Sequence, residues 1–199
     1  MIELRSGADI ADSMGLASLI FSSAPVLLPY IFTSKKQALD YIEKASQRSD
    51  GQYSAARHQV AYEGANAVGS ITLWDNTLPQ SFHTHTLQSL RDFLTPNQIT
   101  HLVFTNEKIK EVFLAPLDHQ LCVGHLAVME KYRGMGVGKK LIAYAILQAK
   151  RRRKTQLILD VDSNNDEALS FYSGLGFMLI TRIEFTYTEQ VFYRMHYNL

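Results

Sequence analysis

The stretch EKYRGMGVGKK, residues 130–140, limits what this chain can fold into more than any other. Three glycines alternate there, Gly134, Gly136 and Gly138, between Arg133 and the pair Lys139 and Lys140. The apolar run HQLCVGHLAVM (119–129) before it reads as a strand. After it, Leu141, Ile142, Ala145, Ile146 and Ala149 fall at helical spacing, which predicts a helix from about Gly136 to Lys150. Glycines between a strand and a helix let successive N–H groups turn toward one anion, with no Cβ in the way. The helix N-terminus adds unpaired donors and the positive end of a dipole. The expectation is a phosphate cradle.

Spacing excludes two familiar forms of it. A P-loop needs Gly, four residues, then Gly-Lys-Ser/Thr, but Lys140 follows Gly138 and Lys139, and Arg133 holds the first glycine's place. The dinucleotide fingerprint Gly-x-Gly-x-x-Gly ends on Lys139 when started at Gly134, and on Leu141 when started at Gly136. What is left is Arg-x-x-Gly-x-Gly.

The rest of the chain alternates strands and helices. IELR (2–5) reads as a strand, and DIADSMGLASLIFSS as a helix with Asp9 as its N-cap. Pro25 and Pro29 break the chain, and a helix over 34–48 starts at Ser34. HQVAYEG and AVGSITLW form a hairpin around Gly64, Ala65 and Asn66. Residues 75–118 read as a helical insertion, with Thr95 a cap and Pro96 the first helical residue. QLILDVD (156–162) is a buried strand, 165–174 a short helix, and FMLITRIEF and QVFYRMHYN close the chain as strands around a turn at 187–189.

In NNDEALSFYSGLGF (164–177), Asn165, Ala168 and Tyr172 fall at i, i+3 and i+7 and share one helical face. With this segment added to HLAVMEKYRGMGVGKKLI, the chain resembles the GNAT family of N-acetyltransferases, closely over about 119–180 and elsewhere in element order alone. The resemblance implies one α/β domain over 1–199. Its mixed, mostly antiparallel sheet carries helices on both faces and splays between two central parallel strands, 119–129 and 156–162. It implies acetyl-CoA in that opening and transfer of the acetyl group to a primary amine by direct attack on the thioester. The backbone of Leu126, Ala127 and Val128 would pair with the pantetheine amides. Amides of Arg133, Gly134, Met135, Gly136, Val137, Gly138 and Lys139 would hold the pyrophosphate, while Asn165 and Tyr172 would line the far wall.

Direct attack requires an amine to lose a proton, an oxyanion to be stabilised and a thiolate to be protonated. Tyr172 matches the thiolate's proton donor. Many relatives carry a Glu on the strand before the loop, where this chain has Gly124 and His125. His125 has an ordinary pKa suited to a base, and Glu111, Asp118 and a water chain stay open beside it. A non-catalytic acyl-CoA-binding module of the same fold is the alternative function.

Other signals read as structural. KRRRK (150–154) is a solvated helix end, with a contact to the cofactor's 3′-phosphate as the alternative. His83 and His85 lie in an expected loop and His101 further on, without a metal-binding pattern. Cys122, the only cysteine, reads as core, and Asp160 and Asp162 as strand-end carboxylates. Tyr30 and Phe32 are expected to wall an apolar acceptor, a small molecule or a peptide. The 199 residues carry a formal net charge of +1, which argues against nucleic acid or a membrane as partner. The mixed MIELRSGADI start resembles neither a signal nor a transit peptide, so a cytoplasmic monomer or homodimer is expected.

Overall fold

The computed structural model describes residues 2–9 and 12–199, without the side chain of Asp9. Among these residues, seven strands form one sheet in the order β1-β2-β3-β4-β5-β7-β6. They are β1 (Ile2–Ser6), β2 (His58–Glu63), β3 (Asn66–Trp74), β4 (Gln120–Val128), β5 (Gln156–Asp162), β6 (Met178–Phe185) and β7 (Gln190–Asn198). All neighbouring pairs are antiparallel except β4 with β5.

The helices are α1 (Ser13–Ser22), α2 (Leu27–Phe32), α3 (Lys35–Ser46), α4 (Gln80–Phe93), α5 (Pro96–Val112), α6 (Val137–Arg151) and α7 (Asp166–Gly174). Strand alternation sends consecutive residues to opposite faces. Val60 and Ala67 therefore pack with Leu16, Ile20 and Ile42 of α1 and α3, while Ala61 and Val68 pack with Leu141 and Ala145 of α6.

Local chemistry sets the helix ends. Ser34 Oγ accepts from Gln37 N at 3.1 Å and starts α3. Thr95 and Gln98 form a reciprocal capping box on α5, each side chain bonded to the other's backbone N–H, with Pro96 inside the first turn. Three expectations need correction. The cap of α1 is Asp12, whose Oδ1 accepts from Gly15 N at 2.8 Å, not Asp9; residues 10 and 11 of the expected helix lie outside the described residues. Pro29 does not break the chain: it stands in the first turn of α2, where a missing N–H costs nothing. His83 and His85 lie on α4, not in a loop.

Candidate active site

β4 and β5 pair only at Gln120 with Gln156, Leu121 with Leu157 and Cys122 with Ile158. Beyond that rung they separate, and β4 keeps a free edge. Met129 N–H donates to Val68 O at 2.9 Å, so alternation gives the polar backbone groups of Ala127 to β3 and turns those of Leu126 and Val128 to the open side. Arg133 Nε donates to Val128 O there, at 3.4 Å.

The glycine loop lies at the mouth of this fork, and its three glycines serve different ends. Gly134 and Gly136 have φ of +72° and +81°, and a Cβ on either would meet nothing within 4 Å. Both leave open space before the helix. Gly138 is a packing glycine, because a Cβ there would stand 2.9 Å from the Phe171 ring. Among the described residues, the N–H groups of Gly134, Gly136, Val137, Gly138 and Lys139 find no acceptor. Five free donors at a helix N-terminus fit an anion. Lys139 lines the cavity, whereas Lys140 Nζ is turned to Ile2 O. The KRRRK run is at the other end of α6, about 22 Å along the helix axis. There Arg152 and Lys154 face Asp75, so the run stands apart from the loop.

Across the fork, Asn165 is the N-cap of α7, its Oδ1 accepting from Ala168 N at 3.0 Å, rather than a residue on the helix face. Tyr172 projects from α7 between Phe171 and Phe177, with ring centroids at 5.3 and 5.5 Å. Burial pushes its phenol pKa up, so the hydroxyl keeps its proton. Glu167 holds Arg133 Nη1 at 2.6 Å and bridges α7 to the loop.

His125 owes its placement to a β-bulge. Ser70 pairs with Ala127 but Thr72 with Gly124, so two residues of β4 oppose one of β3. His125 has φ +44°, rare for a side chain other than glycine, which turns the ring to the α1 side of the sheet. There Nδ1 lies 3.2 Å from Ser23 Oγ. The only proton of that hydroxyl goes to Ile20 O at 2.6 Å, so His125 Nδ1–H is the donor and Nε2 keeps a lone pair. Burial, and then His58 with its ring 6.0 Å away, push the His125 pKa down to about 3. Both effects favour the neutral imidazole over one that titrates at the usual histidine value.

Glu111 and Asp118 do not line the cavity; Glu111 faces Lys108, and Asp118 accepts from Asn76. Asp160 and Asp162 do line it, but both are engaged. Arg194 grips Asp160 through two contacts of 2.8 Å, and Gln190 donates to Asp162 at 2.5 Å. Cys122 is buried at the last rung of the fork, where burial pushes its thiol pKa up.

A single cavity of about 1010 Å³ runs from the loop through the fork into a chamber under α1, α2 and α5. Phe32, Tyr53 and Trp74 line the chamber, but Tyr30 does not; it faces Phe185 and Tyr187. Trp74 was missed in the sequence. Its ring covers Gly124, where a Cβ would stand 2.0 Å from an indole carbon. A glycine inside an apolar strand is the signal that something approaches closely. Among the described residues, no group of three or more His, Cys, Asp or Glu side chains is placed to hold a metal, and no helix is long and apolar enough to cross a membrane.

The chain is 38% identical over 61 residues to N-alpha-acetyltransferase 30 of Saccharomyces cerevisiae, which is 31% of this chain and 35% of that protein. It is 40% identical over 52 residues to the 5-NmdU N-acetyltransferase of Pseudomonas phage PaMx11, covering 26% and 35% of the two chains. The match thus spans about a third of the length of these relatives. Among solved structures, an N-acetyltransferase from Staphylococcus aureus Mu50 superposes with a TM-score of 0.74 at 18% identity, over 98% of this chain and 100% of that one. A chain of the NatC complex bound to Gag peptide and CoA gives 0.59 at 17% identity, over 100% and 98%. These two show a shared fold. The model of the acetyltransferase (GNAT) family matches residues 28–177. That match runs through both arms of the fork and the loop between them, and on it the chain belongs to the GNAT acetyltransferase family.

Proposed function

We propose that the protein is an acetyl-CoA-dependent N-acetyltransferase acting on a primary amine, built as one domain in which 75–118 is an insertion. The observation that carries this reading is the continuity of the cavity. It joins five unpaired loop N–H groups, a free strand edge and a chamber floored by His125. The open space at Gly134 and Gly136 suits a pyrophosphate. In this reading the N–H groups of Gly134, Gly136, Val137, Gly138 and Lys139 hold that group, whereas those of Arg133 and Met135, expected to join them, are taken by Glu130 O and Tyr132 O. Leu126 and Val128 offer backbone partners to the pantetheine arm. Asn165 and Tyr172 form the opposite wall.

Acetyl-CoA supplies a thioester that an amine attacks, so the chain needs no nucleophile of its own. Tyr172 keeps a proton at hand for the departing thiolate, and the proton that the nitrogen sheds as the amide forms leaves through water and restores the phenol. His125 Nε2 accepts one N–H of the amine and orients it. With its pKa near 3, this imidazole does not take up the ammonium proton at neutral pH; the acceptor arrives neutral or loses that proton to water. The reading therefore predicts that kcat/KM rises with pH along the acceptor's own ionisation, with no limb near the usual histidine pKa of about 6.5. A pH profile that bends there with every acceptor would return a titrating base to the mechanism.

A second reading has one observation in its favour: β4 carries Gly124, covered by Trp74, where many relatives carry a Glu. It is an acyl-CoA-binding module without turnover. Free thiol measured with acetyl-CoA and a panel of amines separates the two. Amine-dependent release supports transfer, and tight acetyl-CoA binding without release supports the module.

A further inference from the structure

The acceptor chamber has a roof, and the roof restricts what fits beneath it. Leu102, Asn106 and Ile109 follow one face of α5 and, with Phe113 at its C-terminal cap, line the cavity. The same helix reaches from α2 to the far end of the sheet. His101 Nε2–H donates to Tyr30 O at 3.0 Å, and Ile109 and Phe113 pack with Leu27 and Tyr30 on Ile183, Phe185 and Phe192. Phe113 meets Phe192 edge-on with centroids 4.9 Å apart. Tyr30 meets Phe185 edge-on at 5.5 Å and stacks on Tyr187 at 6.2 Å. Aromatic contacts thus fasten α2 to the β6–β7 turn and close the side between them.

The interior is apolar. Leu28, Ile31, Phe32, Tyr53 and Trp74 form the walls, and Gln52, Asn106 and His125 supply neutral polar groups. Of the carboxylates on this side of the sheet, Asp160 is paired with the Arg194 guanidinium, and Asp162 accepts hydrogen bonds from the Gln190 amide and the Asn164 N–H. An extended polypeptide advances about 3.3 Å per residue and needs an open path with backbone partners along it. The cavity of about 1010 Å³ has to take the reactive arm of the cofactor as well as the acceptor.

Resting on the acetyltransferase reading above, we infer that the acceptor is a compact primary amine with an apolar body, an alkylamine or arylalkylamine, and that the α5 roof bars polypeptide N-termini. The test measures thiol release with benzylamine and phenethylamine, with spermidine, and with peptides bearing free N-termini, alongside calorimetric titration of acetyl-CoA. The best arylalkylamine is expected to exceed spermidine and every peptide in kcat/KM by about a hundredfold or more.

Tyr30→Ala and, separately, Tyr187→Ala loosen the seal. Tyr187 is 46% exposed, so its replacement spares the core and keeps the test alive if Tyr30→Ala does not fold. Either variant is expected to narrow the preference by about tenfold while the acetyl-CoA dissociation constant stays unchanged. Turnover of peptides equal to or above that of the small amines overturns the compact acceptor and leaves acetyl transfer standing. So does an unchanged preference in the folded variants. Acetyl-CoA binding without thiol release from any acceptor overturns acetyl transfer itself.

Discussion

At the scale of single residues, Tyr172 and Gly124 carry separable predictions. Tyr172→Phe keeps the ring between Phe171 and Phe177 and removes only the hydroxyl. Because general-acid help is worth about 10² to 10⁴ in rate, kcat is expected to fall in that range. The acetyl-CoA dissociation constant should change only a few-fold, as a contact made mainly in the transition state requires. Wild-type kcat on the best acceptor would make Tyr172 part of the wall and nothing more. Gly124→Ala places a methyl group where the Trp74 ring lies, so the indole has to move. Acceptor KM is expected to rise about tenfold or more while calorimetry finds acetyl-CoA affinity unchanged, since one side of the chamber moves and the cradle does not. Tyr172 was legible in the sequence because helical spacing is local. Trp74 was not, because fifty residues separate it from Gly124 and only the glycine hints at the contact.

At the scale of elements, the turn into α6 is the sharpest test. Gly136→Asp asks for φ +81° from a residue with a side chain and puts a carboxylate into the space kept for an anion. Losing two charge-assisted contacts at roughly 1.5 to 3 kcal/mol each costs over a hundredfold in acetyl-CoA affinity. An unchanged dissociation constant in a folded mutant would remove phosphate binding from this loop. The loop was legible because glycine spacing, flanking periodicity and charge agree. α5 was legible too, through Thr95, Pro96 and Gln98. Its role was not: nothing local in its sequence says that it reaches from α2 to β6. α2 was missed because Pro29 reads as a breaker, although the first turn of a helix accepts it.

At the scale of the whole molecule, function depends on a sheet that stops pairing in its middle, and the sequence indicated this only through the family resemblance. The bulge at His125 had no signal of its own, because alternation alone turns that ring to the other face. The fold also makes a demand on pH. Burial pushes His58 down to about 4, and burial with His58 beside it pushes His125 down to about 3. Both are neutral when folded and protonate near 6.5 when unfolded, so the unfolded chain binds more protons between those values. Their neutral burial therefore costs no protonation free energy above about pH 6.5, and stability falls as pH drops from there toward 4, by up to about 1.4 kcal/mol per pH unit for each group. Thermal melts from pH 7 to pH 4 should show this, with a shallower slope in His58→Gln; equal slopes would contradict it. The most direct test of the central claim follows an isotope-labelled acetyl group from acetyl-CoA. The account predicts one labelled amide, found by mass spectrometry, for each thiol released, with release that stops when the amine is left out. Thiol release at the same rate without amine, or labelled acetate in place of amide, would contradict it.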